Sequence, residues 1–149
     1  MKHFLAMVML FTSCTLSAHG AEEDRERMIA DLVKVNDSLF RSYGCHCGIK
    51  EIGSFEPKDY IDVCCQILNC CYEDLKPTGC YAETRYKYTY DGEDMANKAS
   101  WCEVKVCTCD RLYSICLLDS HGLFNKDFIP SGERDCMEID LPGCSLAKK

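Results

Sequence analysis

The sequence has few basic residues and, beyond its N-terminus, no long apolar run. It carries 17 Lys and Arg against 24 Asp and Glu, a formal net charge of −7. This balance argues against nucleic acid and anionic membranes as partners held by bulk charge. It suits cations, basic proteins or mineral surfaces, and it also serves simply to keep a domain soluble. No apolar run after residue 20 approaches the length of a transmembrane helix, and no repeat or linker is visible. One domain without a transmembrane segment is therefore predicted.

The N-terminal twenty residues have the pattern of a secretory signal peptide. A short basic start precedes an apolar run over residues 4–16, and Ala18 and Gly20 supply small residues for cleavage. We expect residues 1–20 to be removed and residues 21–149 to form a single secreted, extracellular domain. Loss of Lys2 makes the net charge of that domain −8.

Cysteine is abundant, with 14 residues in the chain. Behind a secretion signal this abundance predicts a disulfide scaffold. The Cys-x-Cys pairs at 45/47 and 107/109 raise a zinc alternative, but they lack the spacing of a paired zinc site. Removal of Cys14 with the leader leaves 13 cysteines, so one is expected to be left over.

The spacing of apolar residues predicts three helices. The first follows the charged residues 21–27, and the sequon Asn36-Asp37-Ser38, with Asn36 as a glycosylation candidate, ends or interrupts it. Residues 43–58 form a loop, and a second helix begins beside Pro57 and ends near Leu75. Residues 85–90 predict a strand entering a turn at 91–92, residues 96–118 a third helix, and the tail from residue 123 an irregular wrap.

Several stretches of the chain resemble the secreted phospholipase A2 family. They are YGCHCG at 43–48, PKDYIDVCC at 57–65, CCY at 70–72, and the pattern Cys102-x4-Cys107-x-Cys109-Asp110-x5-Cys116. The resemblance covers residues 28–144. It implies a mainly α, disulfide-rich fold with three main helices, two of them long and antiparallel, together with a calcium-type loop and a two-stranded β-wing.

The resemblance also implies a disulfide plan. The family pairs correspond to Cys45–Cys136, Cys47–Cys65, Cys64–Cys116, Cys70–Cys144, Cys71–Cys109 and Cys80–Cys102. This plan leaves Cys107 as the expected free thiol, either buried and inert or linked to a partner chain.

The family's catalytic positions are altered in this sequence. A family phospholipase uses a histidine base to activate water, an aspartate to orient it, and calcium to stabilise the oxyanion. The base position is Leu68, which cannot take a proton, and the calcium carboxylate position is Asn69. Asp110, the orienting aspartate, and Tyr72 remain.

The calcium-type loop departs from the family as well. Its carbonyl positions correspond to His46, Gly48 and Lys50, and the loop is two residues longer than the family pattern. Calcium binding is therefore expected to be weakened, and no cofactor is certain. The His46 side chain is a poor replacement for the base, since the resemblance gives that residue only a backbone role.

These substitutions predict a catalytically degenerate member that acts as a binding or matrix protein. The otoconins of calcium carbonate ear-stones are similar acidic relatives. In such a role, surface carboxylates would gather calcium at a mineral face: Glu22, Glu23, Asp24, Glu26, Asp91, Glu93 and Asp94. The alternatives are an inactive partner subunit, a carrier of fatty acid or phospholipid in the residual pocket, and a weak calcium-dependent phospholipase that cleaves the sn-2 ester. The acidic N-terminal segment is poorly suited to membrane docking.

Overall fold

A computed structural model describes residues 21–49, 53–84, 100–140 and 144. Three α-helices organise this part of the chain: α1 (Ala21–Leu32), α2 (Tyr60–Leu75) and α3 (Trp101–Ser120). Short 3-10 helices span Asp37–Phe40, Lys76–Thr78, His121–Leu123 and Lys126–Phe128. The mainly helical, disulfide-rich fold is confirmed, whereas the predicted β-wing at 85–92 lies outside the described residues. No helix in the described ranges is long and apolar enough to cross a membrane.

The second helix begins where a side chain caps it. Asp59 has an extended backbone, and its carboxylate accepts the backbone N–H of Asp62 at 2.9 Å. Such a cap satisfies one of the N–H groups that a first turn leaves without a partner. The helix therefore starts at Tyr60, later than the start beside Pro57 that the sequence predicted.

The third helix begins with a reciprocal cap. The Ser100 hydroxyl accepts from the backbone of Glu103, and the Glu103 carboxylate accepts from the backbone of Ser100. This capping box fixes the first helical residue at Trp101, so the predicted start at residue 96 was too early.

The helices α2 and α3 run antiparallel. Cys64 is bonded to Cys116 and Cys71 to Cys109, so the partner number falls as the α2 number rises. Both helices turn apolar side chains inward, and α1 packs against α3. The main core contains Ile29, Val33, Phe40, Tyr43, Ile61, Leu68, Tyr113 and Leu117.

The disulfides of the described residues follow the family plan. The structure contains Cys45–Cys136, Cys47–Cys65, Cys64–Cys116, Cys70–Cys144, Cys71–Cys109 and Cys80–Cys102. Each bond removes loop entropy from the unfolded chain, and together they tie the tail and the loop to α2.

The prediction of a free thiol at Cys107 was wrong. Cys107 is fully buried and disulfide-bonded. The prediction rested on the odd count that excludes Cys14 and on the family plan, which pairs twelve cysteines and leaves Cys107 without a partner. The whole chain has an even number of 14 cysteines. An even number of cysteines gives no reason to expect an unpaired thiol in the full sequence.

Candidate active site

Leu68 lies in the middle of α2 and belongs to the main core. Its side chain is only 7% exposed. A buried leucine has no lone pair with which to accept a proton from water, and it makes the surrounding site more apolar. The position that would hold a general base is therefore part of the packing.

The next residue, Asn69, points its amide at the loop. Its Nδ2 donates to the backbone oxygen of His46 at 2.7 Å. Because a carbonyl oxygen can only accept, the amide nitrogen faces the loop. One of the three predicted loop carbonyls thus already accepts a hydrogen bond from within the protein.

The loop backbone is organised around Asp62, a residue that the sequence reading did not single out. The Asp62 carboxylate is fully buried. It accepts the backbone N–H groups of Cys45, His46 and Lys58 at 2.8, 2.8 and 2.9 Å. A Cβ on Gly44, whose φ is +58°, would lie 2.2 Å from this carboxyl group, so the close approach requires glycine.

Arg134 fastens the tail to the same loop. Its guanidinium donates to the carbonyl oxygens of Gly44 and Cys47 at 3.0 and 2.8 Å. An antiparallel bridge between Phe55 and Glu138 adds backbone pairing beside it. The irregular tail predicted from the sequence is thus part of the loop's support.

The other loop positions are only partly described. Gly48 is exposed with a φ of +69°, and a Cβ there would lie 1.7 Å from the Arg41 carbonyl oxygen. Lys50 lies outside the described residues. The His46 ring is buried with Nε2 3.0 Å from the Phe55 oxygen, so Nε2 carries a proton. Its Nδ1 has no hydrogen-bond partner in the described part of the chain.

The surviving aspartate of the site is paired with a tyrosine. Asp110 on α3 is 1% exposed, and the Tyr72 hydroxyl on α2 donates to it. Burial, followed by the charge of Asp110, raises the pKa of Tyr72 well above its usual value. Tyr72 therefore remains a neutral donor, and the pair cross-links the two long helices.

Arg25 of α1 brings an unexpected charge into this region. Its guanidinium lies 3.3 Å from the Asp37 carboxylate, which is 4% exposed. Burial opposes the Arg25 charge, but Tyr72, Asp37 and Asp110 outweigh it and raise the pKa of Arg25. Burial also raises the pKa of Asp37, and Arg25 offsets part of that effect. The first helix thus contributes an ion pair to the interior beside Tyr72 and Asp110.

A family model for phospholipase A2 matches residues 24–128. The chain belongs to the phospholipase A2 family. Two curated relatives differ in the extent of the match. Human "Group IID secretory phospholipase A2" is 44% identical over 87 residues, which cover 56% of this chain and 59% of the relative. Human "Phospholipase A2, membrane associated" is 33% identical over 135 residues, covering 89% and 91%.

A third relative is described as a homolog of the enzyme. The "Phospholipase A2 homolog" of Echis pyramidum leakeyi is 36% identical over 104 residues, covering 68% of this chain and 83% of the relative. The chain spans less than two thirds of the group IID protein. Similarity alone therefore leaves its activity open.

Among the described residues, the family's calcium positions in this phospholipase A2-like chain lack a carboxylate, the ligand type that calcium favours. Calcium requires several oxygen ligands, carboxylates prominent among them. Here Asn69 is neutral, and its nitrogen already donates to the His46 carbonyl. Across residues 21–49, 53–84, 100–140 and 144, no group of three or more His, Cys, Asp or Glu side chains is arranged to hold a metal.

The predicted surface carboxylates need a correction. Asp24 is fully buried and cannot face a mineral surface. Glu26 forms an ion pair with Arg41. The side chains of Glu22 and Glu23, and residues 91, 93 and 94, lie outside what the structure describes. The helical pattern of α1 turns Asp24 inward, which a count of acidic residues does not reveal.

Proposed function

We propose that this chain is a secreted, non-catalytic member of the phospholipase A2 family that acts by binding. The observation that carries the proposal is the pair Leu68–Asn69: a core leucine at the base position beside an amide that donates to a loop carbonyl. Neither side chain performs the step that the family requires at its position.

The magnitudes support loss of turnover. A general base contributes about 10²–10⁴-fold in rate. A Lewis-acid metal adds several kcal/mol of charge stabilisation at the developing oxyanion. The two effects overlap because they act on one water and one carbonyl, but the loss of either is severe.

The proposal is tested by ester hydrolysis on mixed phospholipid micelles in millimolar calcium, with calcium binding followed by isothermal titration. The human membrane-associated relative serves as the positive control. We expect no turnover above the lipid blank and no calcium heat. Turnover comparable to that of the control would overturn the proposal.

A repair variant separates a dead site from a damaged fold. We expect Leu68→His/Asn69→Asp to recover little hydrolysis, because the loop is held by protein contacts: Asp62 accepts from its N–H groups and Arg134 donates to its carbonyls. The variant's circular dichroism should match that of the parent. Recovery to the level of the control would instead show that only these two side chains are missing.

The binding partner is proposed from charge. The acidic balance supports a basic protein or a calcium mineral surface, as in an otoconin-like matrix role. The mineral proposal loses Asp24 and Glu26 as free surface groups. Adsorption to calcium carbonate, measured beside a non-binding protein of equal net charge, tests it. Equal adsorption of the two proteins would argue for a protein partner.

A lipid-carrier role is the second candidate. Leu68 makes the former site more apolar, which favours an acyl chain. The Arg25–Asp37 ion pair lies beside the same region and opposes one. Displacement of a fluorescent fatty acid distinguishes the two effects, and saturable binding at micromolar concentration would support the carrier role.

Secretion and modification are proposed on local grounds. Cleavage after Gly20 is checked by N-terminal sequencing of the secreted protein, together with a thiol count, since removal of Cys14 leaves 13 cysteines. Asn36 and Ser38 are both exposed, so a glycan on Asn36 is compatible with the fold. A mobility shift on amidase treatment that is absent in Asn36→Gln would establish it.

A further inference from the structure

Helix α3 has apolar side chains on two opposite sides. Its inner side places Val106, Tyr113 and Leu117 in the core. Its outer side leaves Trp101 and Leu112 54% and 50% exposed, with Val104 beside Trp101 at 38%. A helix that is apolar all round is normally buried all round. The outer side therefore has the composition of a contact surface.

The outer side has an ordered pattern of charge. Residues 101, 105, 108, 112 and 119 lie within about 60° of one another around the helix, because successive residues turn by about 100°. We call these five the outer stripe: Trp101, Lys105, Thr108, Leu112 and Asp119. All five are exposed. Leu112 lies at the centre, with the basic Lys105 seven residues before it and the acidic Asp119 seven residues after it.

We propose that the outer stripe binds a second copy of this chain, with the two α3 helices antiparallel about a two-fold axis at Leu112. In this arrangement Lys105 of each copy faces Asp119 of the other, so the two ion pairs are equivalent. Trp101 and the exposed Leu123, which belongs to the 3-10 helix after α3, lie eleven residues on either side of Leu112, near the two ends of the contact. Self-complementarity of this kind is what a two-fold interface demands.

The charge pattern favours a second copy over a lipid surface. Against a membrane, Asp119 would be pressed onto lipid without a partner, and the net charge of −7 opposes anionic headgroups. Across the two-fold axis the same carboxylate is neutralised by Lys105. Arg111, the other basic residue of α3, lies about 100° around the helix from Leu112 and outside the stripe.

The size of the stripe sets the strength of the dimer. A 20-residue helix is about 30 Å long and about 10 Å across, so a helix–helix contact covers on the order of 300 Å² on each copy. Stable interfaces bury roughly 800 Å² on each partner. We therefore expect a reversible dimer with a dissociation constant in the micromolar range or weaker.

Sedimentation velocity over a concentration series of the secreted protein tests the proposal. Trp101 is the sole tryptophan, so its fluorescence should shift to the blue as the dimer forms. Leu112→Glu places two carboxylates at the two-fold axis and should weaken association at least tenfold. The matched control is Leu39→Glu, at a 41% exposed leucine in the 3-10 helix at 37–40, which should leave association unchanged.

A charge exchange makes the test specific. Lys105→Glu and Asp119→Lys should each weaken the dimer by about threefold or more, whereas the double variant should restore it, because the pairs re-form with reversed sign. A protein that stays monomeric at all concentrations would overturn the proposal, as would equal effects of Leu112→Glu and Leu39→Glu. A blue shift of Trp101 on phosphatidylcholine vesicles while the protein stays monomeric would assign the stripe to lipid instead.

Discussion

At position 69 an amide nitrogen donates to the His46 carbonyl oxygen, where the family places a calcium ligand. The hydrogen bond of 2.7 Å satisfies that carbonyl within the protein. An aspartate at the same position would bring a second acceptor to an acceptor. The two residues differ by one atom and in charge, and they impose opposite requirements on the loop.

Asn69→Asp should make the protein's stability depend on calcium. Without calcium we expect a loss of about 1–3 kcal/mol, since the His46 carbonyl loses its donor and faces a carboxylate. Millimolar calcium should recover part of this loss, while the melting temperature of the parent should not change with calcium. Thermal unfolding with calcium or with chelator measures both.

The control for that substitution is Asn125→Asp. The Asn125 side chain accepts from the backbone N–H of Asp127 at 3.0 Å, and a carboxylate accepts equally well. Its stability should change by less than about 0.5 kcal/mol. A parent protein that calcium stabilises as much as it stabilises Asn69→Asp would contradict the interpretation.

Asp62→Asn should loosen the loop. Three backbone N–H groups converge on the buried carboxylate, and an amide offers them one oxygen and an opposing donor. We expect a loss of about 3 kcal/mol, measured by urea unfolding. The exposed Asp127→Asn is the control, and comparable losses in both variants would show that Asp62 has no special role.

Whether a residue of the site could be predicted depends on how far away its partners lie in the sequence. The loss of the base at Leu68 and of the calcium carboxylate at Asn69 was predictable, because neither side chain can perform that role in any surroundings. Arg25 and Arg134 were not, because their partners lie 12 and 87 to 90 positions away. Asp62 was not either, because two of its three loop partners lie 16 to 17 positions away. A charged residue in an acidic segment is indistinguishable by sequence from a solvated one until the fold brings Asp37 to Arg25.

At the scale of the helices, the caps set the boundaries. Ser100→Ala should destabilise α3 by about 1 kcal/mol, since it removes the acceptor for the first-turn N–H of Glu103. Urea unfolding measures the change, with the exposed Ser131→Ala as control. An unchanged midpoint would show that packing alone holds the first turn.

The existence and order of the helices followed from apolar spacing, but their first residues did not. Pro57 predicts a start for α2 beside itself, whereas the capping side chain is Asp59. The Ser-x-x-Glu sequence at residues 100–103 also indicates the start of α3. The apolar periodicity, which has no sharp boundary, placed the predicted start at residue 96 instead. The outer stripe of α3 was not predicted for a related reason. Apolar residues on two sides of a helix do not indicate which face is buried.

At the scale of the molecule, the interior is rich in neutral phenols. Burial raises the pKa of Tyr72 and of Tyr113, and the carboxylates of Asp110 and Asp37 respectively add to the effect. Burial and the hydrogen bond to Asp59 raise the pKa of Tyr43. All three hydroxyls are therefore held in the protonated state by the folded structure.

Alkaline pH should unfold the protein cooperatively. A folded-state pKa above the unfolded value of about 10 gives stability that is fully present below pH 10 and is lost as the pH rises towards the folded pKa. Three such groups predict a loss of up to about 4 kcal/mol per pH unit above 10. Absorbance at 295 nm should show the buried phenols ionising together with the loss of circular dichroism, and ionisation that precedes unfolding would contradict this.

The Asn69–His46 hydrogen bond also bears on the conditions under which the chain can fold. A loop that is completed by a metal depends on an ion whose concentration differs between compartments and between body fluids. A loop completed by an amide is finished as soon as the polypeptide itself is complete. We therefore expect the protein to keep the same fold in fluids that contain calcium and in fluids that do not.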